Sequence, residues 1–204
     1  MTAFGVSDRV YDAIKQRLAA GDYPPGTRLE PAILAKELGA SVTPVRDALL
    51  RLTGERLVEA PRHEGFRAPV MTEATLRHLY GWHLDLVMLA VIKHRALDLA
   101  GQTPIEEARS NATARIRQNA WFLALARDNG NPEHAWALRN LTERLEPVRR
   151  LEATFLDETE EETDAILSAL KARDRKGLRE KLVHYHRRRE QIVPDLLASL
   201  LGVP

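Results

Sequence analysis

Residues 31–54 read PAILAKELGASVTPVRDALLRLTG, and their spacing predicts two short helices broken by a tight turn. Ile33, Leu34 and Leu38 supply an apolar side to the first helix. Gly39 suits the left-handed conformation that ends a helix. Thr43 offers a hydroxyl to cap the second helix, with Pro44 at its first position, where a missing N–H costs nothing. Val45, Ala48, Leu49 and Leu52 recur at helical spacing and are expected to face inward. Ser41, Thr43, Arg46 and Asp47 then fall at the start or on the open side of this second helix, where a recognition helix presents polar groups to a DNA major groove. Two helices joined by a glycine turn also occur in proteins that never meet DNA, so the flanking sequence has to decide. Leu57-Val58-Glu59 and Phe66-Arg67-Ala68 are short strand-like runs around a basic tip, APRHEG at residues 60–65. That is the hairpin of a winged helix-turn-helix.

The spaced words around this stretch carry a specific resemblance. PPGTRL at 24–29, LAKELGAS at 34–41, TPVRDALLRL at 43–52, ERLVE at 55–59 and a wing glycine at Gly65 occur in order. Residues 10–68 resemble the DNA-binding domain of the GntR family of bacterial transcription regulators. The resemblance implies a cytoplasmic homodimer on a palindromic double-stranded operator. Repression is the expected sign, since a dimer on a promoter blocks polymerase without further machinery.

Composition narrows the remaining classes. Thirty Lys and Arg stand against 29 Asp and Glu, for a net charge of +1, and the chain contains no cysteine. A disulfide framework and a thiolate metal site are therefore excluded. DNA affinity must come from placed basic groups, not from a general basic field. Aromatic residues are few and do not alternate with basic ones, which argues against a single-strand stacking surface. The most apolar run, 84–92, carries Asp85 and falls far short of the ~20 residues that span a bilayer. No HExxH, phosphate-cradling glycine loop, cysteine nucleophile or paired acid set is present, so no enzyme is expected.

A first helix is expected over residues 6–20, from the repeat of Val10, Ile14 and Leu18, with Ser7 or Asp8 at its start. A rigid turn follows at 21–26. In resembling proteins the start of this helix approaches phosphate, a role open here to Arg9 and Arg28. Pro69 biases Ala68 to extended geometry and places a domain boundary near Val70. The expected fold is mainly α: a winged helix-turn-helix over residues 1–70, then an all-α helical bundle over 71–204.

In that second half Thr72 caps a long helix to about residue 99, with Leu76, Leu79, Tyr80, His83, Leu84, Val87 and Val91 on its buried side. Thr103-Pro104-Ile105-Glu106 forms a capping box that opens a helix to about 128. Gly130 is a stop, with Asn131 and Pro132 as the next start. That helix should run to about 153 with a kink at Pro147. Two more cover 159–173 and 176–201, the latter broken at Pro194. The acidic run 157–162 and the basic run 187–189 are expected as solvated helix surface.

This half resembles the FCD effector domain of the FadR-like GntR subfamily, through LALARDNGNP at 123–132 and, less closely, LSALKARD at 167–174. The resemblance implies a small-molecule effector pocket and a dimer contact. Members of the subfamily hold a divalent metal on one Asp and three His. Matching positions here are Gln118, Phe122, Thr163 and Tyr185, which offer weak neutral oxygens and no carboxylate or imidazole, so no metal cofactor is expected. His184 and His186 flank Tyr185, but residues two apart on a helix diverge and cannot share one ion. His83 stands where the family places a carboxylate-binding Arg. The pocket of His83, Gln118, Phe122, Thr163 and Tyr185, with Trp121 close by, therefore reads as more apolar and less ready for an anion. Either it takes a less acidic effector or its own side chains fill it.

The DNA-binding half departs from the family as well. Val42 and Glu64 stand where the family usually has arginine, and Pro31-Ala32 replace a Glu-Arg pair. Arg46 is the leading DNA contact, with Thr43 and Ser41 on phosphate or base edges and Val42 on a thymine methyl. Arg28, Arg62, His63 and Gly65 complete the candidate surface. Arg67 is expected to assist at the wing, and Asp47 to orient Arg46. The near-neutral charge and missing arginines also admit a regulator-derived helical interaction protein without sequence-specific DNA binding.

Overall fold

A computed structural model describes residues 3–93, 113–128 and 130–202. The N-terminal unit comprises α1 (Ala3–Ala20), β1 (Arg28–Leu29), α2 (Pro31–Leu38), α3 (Val42–Gly54) and β2 (Phe66–Arg67). Its core is one cluster in which Val10, Ile14, Leu29, Leu34, Val45, Leu49, Leu52 and Val58 are buried. The helical spacing of residues 10, 14 and 18 and of 45, 48, 49 and 52 turns these side chains to one side, where α1 packs across α3.

Helix α2 ends as expected, with Gly39 left-handed at φ 59° and its N–H returning to the last turn. Its apolar side differs from the expectation: Leu34 and Ala35 are buried, Leu38 is half-buried and Ile33 is 58% exposed. Ile33 lies one residue off the inward stripe, and helical geometry turns it to solvent. Helix α3 begins earlier than predicted. Ser41 is the N-cap, extended at φ −81°, and Val42 is the first helical residue. Thr43 and Pro44 therefore sit inside the first turn, where the proline's missing N–H is one of the groups left unbonded in any case.

The wing is a single bridge between Glu59 and Arg67, each N–H donating to the other's carbonyl at 2.9 Å. Its sheet is completed by β1, which pairs antiparallel with β2 through Arg28 opposite Arg67 and Leu29 opposite Phe66. A two-residue strand leaves no periodicity in sequence, so β1 was invisible there.

The C-terminal unit is helical throughout its described residues: α4 (Glu73–Lys93), α5 (Ala114–Asp128), α6 (Pro132–Arg149), α7 (Glu152–Phe155), α8 (Thr159–Lys171), α9 (Arg175–Gln191) and α10 (Val193–Leu201). The predicted end of α4 and the capping box at 103–106 lie outside the described residues. Thr72 caps α4 by accepting from the Thr75 N–H at 3.1 Å. On α4, Leu86 joins the core while Leu84 is only half-buried. Asn131 caps α6 by accepting from the Glu133 and His134 N–H groups. Pro147 stays inside α6, and the chain breaks at residues 150–151 instead. The last helix breaks at Ile192, with Pro194 in the first turn of α10.

One end of each charged run departs from expectation. Glu162 of α8 meets Arg188 at 3.2 Å and Arg189 at 2.8 Å, and Arg189 is 1% exposed. Glu162, Arg188 and Arg189 pair across the α8–α9 contact, while Asp157, Glu158, Glu160, Glu161 and Arg187 lie exposed as expected.

The two units touch through α1 and α6. Lys15 bridges Glu55, at 3.3 Å, and Glu143, at 2.9 Å. Asn140 donates to the Glu55 carbonyl at 2.7 Å. Glu55 also accepts from the Tyr11 hydroxyl at 2.7 Å. The residue that closes α3 is thus tied both to α1 and to the helical unit.

Candidate functional site

Helix α3 is divided sharply. Val45, Ala48, Leu49 and Leu52 are at most 1% exposed, while Ser41, Val42, Thr43, Arg46 and Asp47 are open to solvent. Val42 and Arg46 are four apart and share one side of the helix. Among the described residues Arg46 has no hydrogen bond or ion pair. Its guanidinium is therefore available to a bidentate acceptor such as a guanine edge or a phosphate. Nothing joins Asp47 to Arg46, so the expected orienting role is not realised.

At the wing, His63 and Gly65 are both left-handed, at φ 65° and 79°. They fold the tip back so that Arg62 and His63 are exposed beside Gly65. Arg67 is engaged by Glu59 at 2.9 Å and Glu64 at 3.4 Å. It is therefore not the free wing cation that was expected, and the same pairing offsets the Glu64 charge. Arg28 is 70% exposed and paired with Glu30 at 2.5 Å. An exposed pair of this kind contributes about 0–1 kcal/mol, so Arg28 can exchange Glu30 for another anion at small cost.

In the helical unit, the five predicted pocket residues converge, and each is at most 2% exposed. The Tyr185 hydroxyl donates to Gln118 Oε1 at 3.0 Å, Gln118 Nε2 donates to Thr163 at 2.6 Å, and Thr163 donates to the Thr159 carbonyl at 2.7 Å. Phe122 stacks edge-on against His83, with ring centroids 4.8 Å apart, and against Tyr185 at 5.7 Å. These aromatic positions are filled by one another.

Sequence reasoning missed what lies at the centre. Arg149 of α6, 2% exposed, donates to Gln118 Oε1 at 3.1 Å, to the Tyr185 hydroxyl and to Asn119. Glu152 is equally enclosed and accepts from Arg189 Nε at 2.9 Å and from the Tyr80 hydroxyl at 2.9 Å. Burial pushes the Tyr80 and Tyr185 hydroxyls above their ordinary pKa, so both remain proton donors. A cavity of about 320 Å³ opens beside this cluster, lined by Gln118, Arg115, Arg149, Arg150, Glu152 and Arg189 among others. Four arginines line it together with Glu152 and Glu160, and of the five predicted pocket residues Gln118 alone reaches it. No sequence signal marked Arg149, since an arginine within a charged amphipathic helix reads as surface.

His186 also enters the core. It packs against His83, with His83 Nδ1 2.8 Å from His186 Nε2, while His186 Nδ1 is 2.8 Å from the Leu182 carbonyl. A carbonyl only accepts, so His186 Nδ1 carries the proton and its Nε2 accepts from His83 Nδ1. His83 Nε2 is then a bare acceptor, buried with no partner among the described residues. Burial is the main cause that drives both histidines below their ordinary pKa, His186 to about 3. The ring pair is therefore neutral.

A divalent metal does not fit this cluster. The four converging side chains are an amide, a phenyl ring, a hydroxyl and a phenol, and the Arg149 charge sits among them. No group of three or more His, Cys, Asp or Glu that could hold an ion occurs among the described residues.

The arrangement is thus an exposed helix face carrying an uncommitted arginine, joined to a helical bundle with a cavity rich in arginine. Comparison with known proteins agrees with it. The model described as "Bacterial regulatory proteins, gntR family" matches residues 6–67. The HTH-type transcriptional regulator McbR of Escherichia coli (strain K12) is 30% identical over 187 residues, covering 84% of this chain and 85% of McbR. The solved structure of E. coli McbR/YncC superposes with a TM-score of 0.69 at 25% identity, covering 96% of this chain and 99% of that one. A putative transcriptional regulator GntR from Rhodococcus sp. RHA1 shares the fold, with a TM-score of 0.72 at 20% identity over 97% of this chain and 98% of that one. With a helix-turn-helix whose second helix is exposed, a helical second unit and a relative alike over most of both chains, this chain belongs to the GntR family of bacterial transcriptional regulators.

Proposed function

We propose that this regulator binds a palindromic double-stranded operator as a homodimer in the cytoplasm, represses transcription there, and responds to a small-molecule effector in its helical unit. The observation that carries the DNA reading is the two-sided character of α3, buried on residues 45, 48, 49 and 52 and open at Ser41, Val42, Thr43 and Arg46. Arg46 reads a base edge, Ser41 and Thr43 hold phosphate or base edges, and Val42 touches a thymine methyl. Arg28, Arg62, His63 and Gly65 form the flanking contacts.

Trp82, Leu89 and Ile92 support the dimer, since they lie exposed along one side of α4. A helical stripe of that kind, left uncovered by the described residues, suits a second copy of the chain. No helix among the described residues is long and apolar enough to cross a membrane.

The effector contacts Gln118 and Arg149 in the arginine-rich cavity, and no metal takes part. Helix α6 is the natural transmitter. It carries Arg149 at the cavity and, nine residues earlier, Asn140 on the carbonyl of Glu55 at the end of α3. A shift of α6 on ligand binding therefore moves the recognition helices of a dimer relative to each other.

Fluorescence anisotropy on the DNA upstream of the gene, against a scrambled duplex over a salt series, tests the proposal. Selective binding that weakens steeply with salt supports it. Equal, weak binding to both duplexes, unchanged by cell metabolite extract, sinks it in favour of a helical interaction protein.

A further inference from the structure

A second and larger cavity, of about 800 Å³, lies between the two units. Its walls include Leu18 of α1, Leu57 after α3, Leu79 of α4 and Leu200 of α10. That volume falls within the range of small-molecule sites, whose walls are mostly apolar with a few placed polar groups.

The polar groups here are unbalanced. The acids at the cavity are already engaged: Glu59 with Arg67, Glu143 with Lys15 and Glu146 with Arg115. The guanidinium groups of three arginines at the same cavity, Arg56, Arg139 and Arg144, have no hydrogen bond or ion pair among the described residues. Arg144 is half-buried, and burial together with the charge of Arg56 lowers its proton affinity. Arg56 and Arg144 line the same largely apolar cavity, the charge of one acts on the other, and neither guanidinium is paired with an acid among the described residues.

Arg56 is also strained. It follows the last turn of α3 in the left-handed conformation, at φ 58°, a place where glycine fits without penalty. The junction thus carries an arginine at a cost in backbone strain.

We infer that the inter-unit cavity is a binding site for an amphipathic carboxylate, whose apolar body fills the cavity and whose anionic end bridges Arg56 of the DNA-binding unit and Arg144 of the helical unit. This site is separate from the one around Arg149. Its occupant joins the two units directly and fixes the orientation of α3.

The test uses the full-length chain, 8-anilinonaphthalene-1-sulfonate as fluorescent probe, and decanoate and decanol as competitors. Expected are saturable probe fluorescence at one site per chain, displacement by decanoate, and at least tenfold weaker displacement by uncharged decanol. Arg144→Gln and Arg56→Gly should each weaken decanoate at least tenfold. Arg56→Gly should at the same time raise the thermal midpoint, because it relieves the left-handed strain, so lost binding cannot be put down to misfolding. Arg150→Gln, at the other cavity, should leave decanoate binding unchanged. Decanoate binding equal in wild type, Arg144→Gln and Arg56→Gly would overturn the inference, as would its loss in Arg150→Gln alone. None of these readouts depends on DNA binding.

Discussion

Acid should weaken this protein through its histidine pair, and the loss can be worked from the structure. His186 is 1% exposed and hydrogen-bonded at both ring nitrogens. Burial is the chief cause that holds its pKa down to about 3, with the charges of Arg189 and Arg149 acting in the same direction and the Leu182 carbonyl opposing them. In the unfolded chain the same imidazole titrates near 6.5. The neutral ring therefore favours the fold fully above pH 6.5. That contribution falls as pH drops, because the unfolded state takes up a proton that the folded state refuses, and the loss levels off near pH 3. At pH 5 His186 alone costs about 2 kcal/mol relative to pH 7. His83 adds a loss of the same sign, since its pKa is also lowered, first by burial and then by the charges of His186, Arg149 and Arg189. Urea denaturation followed by circular dichroism at pH 7 and pH 5, on wild type and His186→Gln, measures the effect. The carboxylates titrate alike in both proteins, so the difference in pH dependence isolates the histidine. Wild type should lose about 2 kcal/mol more than the variant. Identical losses would refute the assignment of a buried neutral ring.

Other substitutions probe separate parts of the structure. Arg46→Ala should cost about 1–3 kcal/mol on the preferred duplex and little on a scrambled one, read by anisotropy at fixed salt. A uniform loss on both duplexes would place Arg46 on phosphate instead. Arg189→Ala strips Glu152 and Glu162 of a shared partner and should destabilise the helical unit by about 3–5 kcal/mol in urea melts. Asn131→Ala removes the cap of α6 and should cost about 1 kcal/mol in the same assay. Asn140→Ala cuts the tie between α6 and the end of α3. If α6 carries the effector signal, this variant should keep operator binding and lose its response to an effector.

The legible parts of the fold are those where chemistry is local. Gly39 ends α2, Asn131 and Pro132 open α6, and the helical spacing of residues 45, 48, 49 and 52 turns them inward. Each depends on a backbone preference or on a helical repeat that neighbouring residues carry by themselves. The convergence of Gln118, Phe122, Thr163 and Tyr185 was reached through a family resemblance, and the side chains do meet. What occupies the space among them was not legible. Arg149 looks like any arginine on a charged helix, and its burial exists only because α6 packs on α5 and its guanidinium reaches Tyr185 of α9.

The same holds for the charged runs. Glu162 and Arg189 were expected in water because their own helices offer nothing to bury them against, yet the α8–α9 contact encloses both. Strand β1 pairs with β2 across most of the unit, Arg28 opposite Arg67 and Leu29 opposite Phe66, and two-residue strands carry no period. Sequence by itself determined most of the helices, some of their ends, the winged helix-turn-helix order and the likeness to a family of regulators, because those rest on short-range geometry and ordered motifs. The tertiary structure alone decided which charges are buried, which arginines remain unpaired and where the cavities lie. Those depend on desolvation and on partners supplied by distant segments, and no local pattern encodes either.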